Sequence, residues 1–279
     1  MVSLRAVDDA SGDGAGRYSR HLLHAGRGAM LGRLEQERRL WYGMKHRFAF
    51  VVTRSGRTDF LFRGATHIQH PGVIQLKQPG EMYRDVRRDG PSSFDVVLLD
   101  DAVIDAARDA IGARELVVCE PCLPREDPRA GALLALHDII DAPQDLLLID
   151  TAVAEAALAF ARIATAREPD APRERRAIAR ARAYLLERLA DAIRLDDLAD
   201  HVGIDKYHLV RAFRSAVGVP PYEYLTHARI HRARELLRAG ATAAAAATAV
   251  GYCDQSQLHR HFVRLVGTTP GRYARKRRG

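Results

Sequence analysis

Two short segments near the C-terminus carry the side chains whose chemistry is most informative. Arg211 and Arg260 each follow an aspartate by six residues, after Asp205 and Asp254. A guanidinium can donate two hydrogen bonds to guanine, and a glutamine amide such as that of Gln255 can pair with adenine. The alternative is that each arginine contacts only phosphate or pairs with a nearby acid. These residue types predict recognition of nucleic acid, and we find no set of catalytic residues.

The candidate contact residues occupy the outward positions of two amphipathic helices. Leu209 and Phe213 in the first segment, and Leu258 and Phe262 in the second, recur at helical spacing and are assigned to the core. The candidate DNA-binding residues are Lys206, Tyr207, His208, Val210, Arg211 and Arg214 in the first segment, and Gln255, Ser256, Gln257, His259, Arg260 and Arg264 in the second. We expect Arg214 and Arg264 to contact phosphate or to lie on the surface. His208 and His259 fit either polar DNA contacts or solvated side chains.

The two segments belong to an internal repeat. Residues 195–224 match residues 243–273, with an offset of 48 up to a glycine turn and of 49 after it. Gly203 and Gly251 stand where a helix ends with a positive φ. The aspartate that follows each glycine can accept hydrogen bonds from the free N–H groups of the next helix. The repeat therefore predicts two helix-turn-helix motifs, at 195–217 and 243–266, a unit whose second helix fits the major groove of DNA.

A single helix is predicted between the two motifs. PYEYLTHARIHRARELLRAG provides about 18 helical residues, or roughly 27 Å at 1.5 Å per residue. Successive major grooves on one face of a duplex lie about 34 Å apart. One chain could therefore place both second helices in successive grooves.

The distribution of charge favours a polyanionic partner for the C-terminal part. Residues 172–279 hold 21 Lys and Arg against 10 Asp and Glu, a net charge of +11, whereas residues 1–171 hold 22 against 25, a net of −3; the two sum to the chain's +8. The partner could be nucleic acid or an anionic membrane surface, and a solvated basic face without a partner is the alternative. The tail Arg275-Lys276-Arg277-Arg278 would add salt-sensitive attraction.

Cysteine content and hydropathy exclude several other classes. Three cysteines cannot form a disulfide scaffold, and Cys119 and Cys122 form a lone CxxC without the second pair of a zinc site. No apolar run reaches the roughly 18 residues of a membrane span, and the N-terminus lacks a signal-peptide core. We expect a cytoplasmic protein.

The N-terminal part has an α+β pattern. Residues 1–20 are predicted to be a disordered arm. Short strands follow over about 46–120, with a hairpin at Ser55-Gly56, turns at Pro71-Gly72 and Pro79-Gly80, and further strands in FDVVLLD and ELVVCEP. The spacing of these turns suggests a small antiparallel barrel or sandwich.

From about residue 127 the pattern becomes helical. DPRAGALLALHDII places Leu133, Leu136 and Ile140 on one side, and a second helix in TAVAEAALAFARIATA would be capped by Asp150 or Thr151. The stripe of small residues on the second helix could pack within the chain or against a second copy. Prolines and charges at 169–174 predict a linker between an N-terminal domain at 21–168 and a C-terminal domain at 175–279.

The C-terminal domain resembles the AraC/XylS family of bacterial transcription regulators. The resemblance covers about 175–278 and rests on LDDLADHVGIDKYHLVRAFRSAVGVPPYEYL, ARIHRARELL and VGYCDQSQLHRHFVRLVGTTPGRY. It implies recognition helices at 206–217 and 255–266 that bind adjacent major grooves of promoter DNA. It also implies an N-terminal cupin-like β-barrel with trailing helices that binds an effector and forms a homodimer. RNA polymerase would be a partner if the protein is an activator.

One departure from the family pattern concerns metal binding. The family often has Pro-Gly-Glu-x-His where this chain has Tyr83, and a histidine at such a place holds a metal in cupin enzymes. Its replacement, and the spacing of His67 and His70, argue against a metal site, and no cofactor is expected. Candidate effector-binding residues are Trp41, Tyr42, His46, Glu81 and Tyr83, which also fit an ordinary barrel core.

The sequence therefore predicts a non-enzymatic, sequence-specific regulator that responds to a small molecule. Two alternatives remain open at this stage. The barrel could be a dimerisation scaffold that binds no effector, or the chain could be a cupin-type enzyme fused to a DNA-binding module, which would need a metal.

Overall fold

The computed structural model describes residues 21–26, 28–139, 146–165 and 173–275. They divide into one unit of residues 21–40 and 45–165 and a second unit of residues 41–44 and 173–275. The predicted arm 1–20, Ile140, residues 169–172 of the predicted linker and the end of the basic tail from Lys276 onward lie outside the described residues. Arg173 and Glu174, also assigned to the linker, begin a helix. Within the described part, no helix has the length and apolar character needed to cross a bilayer.

The first unit is built on an antiparallel sheet, which confirms the predicted α+β class. Its strands are β1 (His21–Gly26), β2 (Ala29–Glu37), β4 (Ala49–Phe62), β5 (Ala65–Gln69), β6 (Val73–Lys77), β7 (Met82–Leu99) and β8 (Cys122–Pro124), whereas the short strand β3 (Tyr42–Met44) belongs to the second unit. Hydrogen bonding follows the order β1-β2-β7-β4-β6-β8, and β5 pairs with β4. Among the described strands β1 and β8 do not pair with each other, so the sheet is not closed and the predicted barrel is not confirmed.

The hairpin predicted at Ser55-Gly56 is wrong. Both residues lie inside β4, where the register against β7 shifts on either side of Ser55. Gly56 has φ +85°, and a Cβ there would lie 2.4 Å from Ser92 Oγ, so the pair forms a bulge that requires glycine. The chain reverses later, at Arg63-Gly64, where Phe62 pairs with Ala65. The turns at Pro71-Gly72 and Pro79-Gly80 are confirmed.

The two later predicted strands have different outcomes. The predicted strand FDVVLLD, residues 94–100, is confirmed, because it forms the end of β7, whose last residue is Leu99. ELVVCEP, residues 115–121, is not a strand, because its amides bond elsewhere: Val117 N donates to Ala164 O at 2.7 Å and Val118 N donates to Gln78 Oε1. The strand β8 follows it and pairs with β6.

Helices cover one face of the sheet. They are α1 (Asp101–Ala110), which the sequence pattern did not predict, a 3₁₀ turn (Pro128–Ala130), α2 (Gly131–Ile139) and α3 (Leu146–Ala164). One buried core lies between the sheet and these helices. It contains sheet residues Phe50, Val52, Ile74, Leu76 and Val97 and helix residues that include Leu133, Leu136 and Phe160.

The helix α3 differs from its prediction at its start. It begins at Leu146, so Asp150 and Thr151 lie inside it, and Thr151 Oγ1 donates to Leu147 O at 2.7 Å instead of capping the helix. Its small residues Ala152, Ala156 and Ala161 are buried in the core of the first unit. This supports packing within the chain, the first of the two alternatives for that stripe.

A buried carboxylate joins the sheet to α2. The side chain of Asp95 is completely buried and accepts two hydrogen bonds from Arg33, at 3.0 and 3.1 Å, and one from His137 Nε2, at 3.0 Å. Arg54 Nε lies 3.3 Å from the same carboxylate. Burial would raise the pKa of Asp95, but the hydrogen bonds from His137 and Arg33 and the charges of Arg54 and Arg33 lower it to about 2. Asp95 is therefore ionised at every physiological pH.

The network makes the stability of the first unit depend on the protonation of His137. Burial would lower the pKa of His137, but hydrogen bonds to Asp95 and Asp138 raise it above 6.5. A histidine whose pKa is higher in the folded state than in the unfolded state stabilises the fold. This stabilisation is complete below pH 6.5, the ordinary pKa, and is lost as the pH rises through the pKa of the folded state. We therefore expect the free energy of unfolding, measured by urea denaturation, to fall as the pH rises above 6.5.

The control for this prediction is His137→Gln, which cannot titrate. Other histidines contribute equally to both proteins, so the difference between wild type and variant isolates His137. A difference that does not change with pH would show that folding does not raise the pKa of His137.

Candidate nucleic-acid interface

Seven helices form residues 173–275 of the second unit. They are α4 (Arg173–Glu187), α5 (Leu195–Val202), α6 (Lys206–Val217), α7 (Pro221–Arg238), α8 (Ala243–Ala249), α9 (Gln255–Val266) and α10 (Pro270–Arg275). The repeated motifs correspond to α5 with α6 and α8 with α9. Between them α7 is one helix of 18 residues, so its length is about 27 Å.

The turns position α6 and α9 through capping aspartates, as the sequence predicts. Gly203 ends α5 with φ +72°. Asp205 Oδ1 then accepts hydrogen bonds from Tyr207 N at 2.9 Å and His208 N at 3.1 Å. In the second motif Asp254 Oδ1 accepts from Gln257 N at 2.7 Å. Each cap satisfies free N–H groups of the first turn and so fixes where the helix begins.

The same aromatic contact lies beneath both helices. Phe213 on α6 packs edge-on against Tyr224 with ring centroids 5.6 Å apart, and Phe262 on α9 packs edge-on against Tyr273 at 5.4 Å. All four residues are buried, and the two pairs occupy equivalent positions of the repeat. With Leu209 and Leu258, also buried, they confirm the predicted core face of each helix. The opposite face of each helix is therefore directed away from the core.

The predicted contact residues lie mostly on that outward face. Three of them are half-buried, namely Lys206, Val210 and Gln257. The others are exposed: Tyr207, His208, Arg211 and Arg214 on α6, and Gln255, Ser256, His259, Arg260 and Arg264 on α9. Tyr207 is 71% exposed, which is unusual for a tyrosine. The structure thus brings each set together on one helix surface.

Three of the candidates also have structural partners. Lys206 Nζ donates to Asp196 Oδ1 at 2.8 Å, and this hydrogen bond raises the pKa of Lys206. Gln257 Oε1 accepts from Cys253 N at 3.0 Å, which helps to close the turn before α9. His208 Nε2 lies 3.8 Å from Glu174 Oε1. These side chains would have to exchange a partner in order to contact DNA.

Arg211 and Arg260 differ from them, because neither guanidinium forms a hydrogen bond or ion pair with any residue that the structure describes. The alternative in which each arginine pairs with a nearby acid therefore has no support within the described ranges. Both keep a full set of donors for an external acceptor.

Sequence reasoning missed two residues that position these helices. Arg229 on α7 donates from Nε to Leu189 O at 2.6 Å and from Nη2 to Asp191 O at 2.8 Å, which holds the loop before α5. His261 on α9 stacks on Tyr252 with centroids 5.3 Å apart. Burial, followed by the charges of Arg264, Arg260 and Arg229, lowers the pKa of His261, so we expect it to be neutral at pH 7. A hydrophobic pattern gives no signal for either role, since both residues are polar.

The second glycine turn also has a packing role that the sequence did not reveal. Gly251 has φ +78°, and a Cβ there would lie 2.3 Å from Ala190 O. At Gly203, with φ +72°, a Cβ would meet nothing within 4 Å. The turn of the second motif therefore packs directly against the backbone between α4 and α5.

The candidate effector residues fall into two groups. Glu81 is 2% exposed and accepts from Arg63 at 2.7 and 3.0 Å, while Tyr83 is buried, donates to Leu76 O at 3.1 Å and stacks on Phe62. Trp41 and Tyr42 belong to the second unit, where the Tyr42 hydroxyl donates to Glu223 Oε1 at 2.9 Å. His46 is half-buried in the first unit. The structure therefore places Glu81, Tyr83 and His46 in the first unit and Trp41 and Tyr42 in the second.

The histidines considered for metal binding have other contacts. His67 stacks on Phe60 with centroids 5.5 Å apart, and burial lowers its pKa. His70 Nδ1 accepts from Gly72 N at 3.1 Å. No group of three or more His, Cys, Asp or Glu side chains suited to a metal ion occurs among the described residues.

Two capped helices with outward arginines, each on a helix-turn-helix motif, define a domain of the DNA-binding class. Residues 198–276 match the family described as "Helix-turn-helix domain". An uncharacterised transcriptional regulator, YbfI of Bacillus subtilis, is 38% identical over 75 residues, and a putative AraC-like transcription regulator of Streptomyces lividans is 44% identical over 78 residues. The C-terminal region of this chain is therefore a helix-turn-helix domain of the AraC type.

The matches to these relatives are confined to that domain. The alignments cover 27% and 28% of this chain, and 27% and 26% of the respective relatives. A crystal structure of apo ToxT from Vibrio cholerae is similar over 88% of this chain and 97% of its own, with a TM-score of 0.51 and 11% sequence identity. At that identity the likeness concerns the fold alone.

The two glycine turns provide a matched test of the packing. Gly203→Ala should destabilise by about 1–2 kcal/mol, the cost of a left-handed conformation for a residue with a Cβ. Gly251→Ala should cost about 3 kcal/mol or more, because overpacking against Ala190 adds to the same backbone penalty. Urea denaturation followed by circular dichroism measures both, and equal losses would contradict the close approach at Gly251.

Proposed function

We propose that this protein is a sequence-specific, DNA-binding transcription regulator whose two helix-turn-helix motifs place α6 and α9 in successive major grooves. The observation that carries the proposal is the equivalence of Arg211 and Arg260. They occupy the same position of the repeat, lie on the outward face of capped helices and lack partners among the described residues. Such a pair is what direct readout of two grooves requires.

Charge and helix length support this arrangement. The C-terminal part carries a net charge of +11 from 21 basic and 10 acidic residues over 172–279, and neutralisation of phosphates supplies most of the affinity of such proteins. The helix α7, with its 18 residues, spans a distance close to one turn of DNA. We assign Arg211 and Arg260 to base contacts and Arg214 and Arg264 to phosphate contacts.

For the first unit we propose that it binds a small-molecule effector and forms a homodimer. The resemblance to AraC/XylS regulators and the helix-covered antiparallel sheet support this role. RNA polymerase would be a partner if the protein activates transcription, and the proposed location is the cytoplasm. The second candidate, a scaffold that binds no effector, is favoured by the satisfied side chains of Glu81 and Tyr83.

Base contact by Arg260 can be separated from phosphate contact by two substitutions. Arg260→Ala should weaken binding to the preferred site by about 1–3 kcal/mol and relax preference at one base pair. Arg260→Lys keeps the charge but loses the planar fork that pairs with guanine, so it should also lose selectivity. Electrophoretic shift with every single-base variant of the site measures both effects. If Lys restores full affinity and selectivity, Arg260 contacts only phosphate.

Phosphate contact by Arg264 has a different signature. Arg264→Ala should weaken binding to all sequences alike and reduce the slope of log affinity against log salt concentration by about 0.9. The exposed Arg162 on α3 provides a control with the same charge change outside the helical unit. An unchanged slope for Arg264→Ala, or an equal change for Arg162→Ala, would contradict the assignment.

A further inference from the structure

The face of the sheet opposite the helices carries buried polar side chains. Neighbouring strand residues share a face when they lie opposite each other in the ladder. Val51 pairs with Gln75 and Val96, and Thr53 pairs with Phe94, whereas the alternate residues Phe50 and Val52 lie in the helix-covered core. We call this second face the polar face and define it by the buried residues Thr53, Thr58, Gln69, Gln75 and Arg88.

Hydrogen bonds and register place these five residues in one continuous patch. Thr58 pairs with Gln69 on one side and with Arg88 on the other. Gln69 Nε2 donates to Thr53 Oγ1 at 2.9 Å, which connects Thr58 and its neighbours to the part of the face near Gln75. The guanidinium of Arg88 lies over the ring of Phe94, 5.6 Å from its centroid, and Phe94 is the direct partner of Thr53.

Arg88 has unsatisfied donors in this buried position. Its side chain is only 4% exposed, and Nη2 donates to Asp85 Oδ2 at 2.7 Å. Nε and Nη1 are buried and have no hydrogen-bond partner among the residues that the structure describes. On the same face the carbonyl oxygen Oε1 of Gln75 is also buried, and no described residue donates a hydrogen bond to it. Buried polar atoms without partners are costly, and native proteins normally satisfy them with water or a ligand.

We propose that the polar face is the effector site, that Arg88 and Gln75 hold the effector, and that the effector is an uncharged, hydroxylated small molecule. This inference rests on the proposed function of the first unit and names the ligand class of that site. Arg88 binds ligand oxygens through Nε and Nη1, and Gln75 Oε1 accepts a hydrogen bond from a ligand hydroxyl.

The choice of ligand class follows from charge and from hydrogen-bonding direction. Asp85 already neutralises the charge of Arg88 through a direct hydrogen bond, so the site needs no further negative charge. A carboxylate would place a second anion near Asp85 and has no proton to donate to Gln75. A hydroxyl group both accepts from a guanidinium and donates to an amide oxygen. The ring of Phe94 provides an apolar surface beside these groups.

The test uses the full chain and measures its melting temperature with four uncharged probes, glycerol, xylitol, ribose and glucose, and two charged probes, succinate and glutarate. Millimolar concentrations avoid the general stabilisation that polyols produce by exclusion from protein surfaces. Two variants remove the proposed contacts, Arg88→Met and Gln75→Met. The control is Arg87→Met on the same strand, because the side chain of Arg87 is 70% exposed.

We expect at least one uncharged probe to raise the melting temperature of the wild type and of Arg87→Met by several degrees at saturation. The same probe should not stabilise Arg88→Met or Gln75→Met. If one variant does not fold, the other provides the same comparison. The inference is overturned if no uncharged probe stabilises the wild type, if only the dicarboxylates do, or if the variants are stabilised as much as the wild type.

A second measurement separates failure of this inference from failure of the proposed function. DNA binding is measured on the same preparations by electrophoretic shift, with the DNA upstream of the gene as the probe. DNA binding without stabilisation by any uncharged probe would overturn the ligand class and leave the regulator proposal intact. Stabilisation that requires Arg88 and Gln75, in a protein that binds no DNA, would support the site and contradict the regulator.

Discussion

The arrangement of α6 and α9 depends on α7. Near its start Tyr224 packs against Phe213 beneath α6, and near its end Arg234 Nε donates to the hydroxyl of Tyr273, which packs against Phe262 beneath α9. Between these points Arg229 holds the loop before α5 through two backbone carbonyls. One rigid helix therefore contacts both motifs, so the distance between their outward faces is a property of the fold and does not depend on a flexible connection.

The two motifs repeat the same construction with different surfaces. Both have a capping aspartate, a buried leucine and an edge-on aromatic pair, and these features fix the helix that each one presents. The outward residues differ: α6 offers Tyr207 and Val210 where α9 offers Ser256 and His259. Because the buried parts are equivalent and the exposed parts are not, the two motifs present different side chains from the same framework.

The two faces of the sheet in the first unit bury different kinds of side chain. One face is apolar and packs against helices, while the polar face buries groups that protein atoms do not fully satisfy. A chain selected for stability alone would replace Arg88 by an apolar residue of similar size, since a buried ion pair contributes little net stability. Retention of unsatisfied donors in an otherwise ordered sheet is typical of a site that is completed by another molecule.

The sequence by itself determined the two helix-turn-helix motifs and the helix between them. Its internal repeat, glycine turns and capping aspartates are local signals, because a helix end is specified by residues within one turn of it. The outward arginines and the buried aromatic residues followed from helical periodicity. The α+β class of the first unit and the turns at Pro71-Gly72 and Pro79-Gly80 were determined in the same way.

Only the tertiary structure decided the features that depend on residues far apart in the chain. Gly56 proved to lie in a bulge and not in a hairpin, because β4 stays paired with β7 on both sides of it. Ser92, 36 positions away, leaves no room for a Cβ at this bulge. Arg88 and Gln75 share one face because β4 pairs with β6 on one side and β7 on the other. Strand register and the satisfaction of buried polar atoms arise from such long-range pairings, which local pattern does not encode.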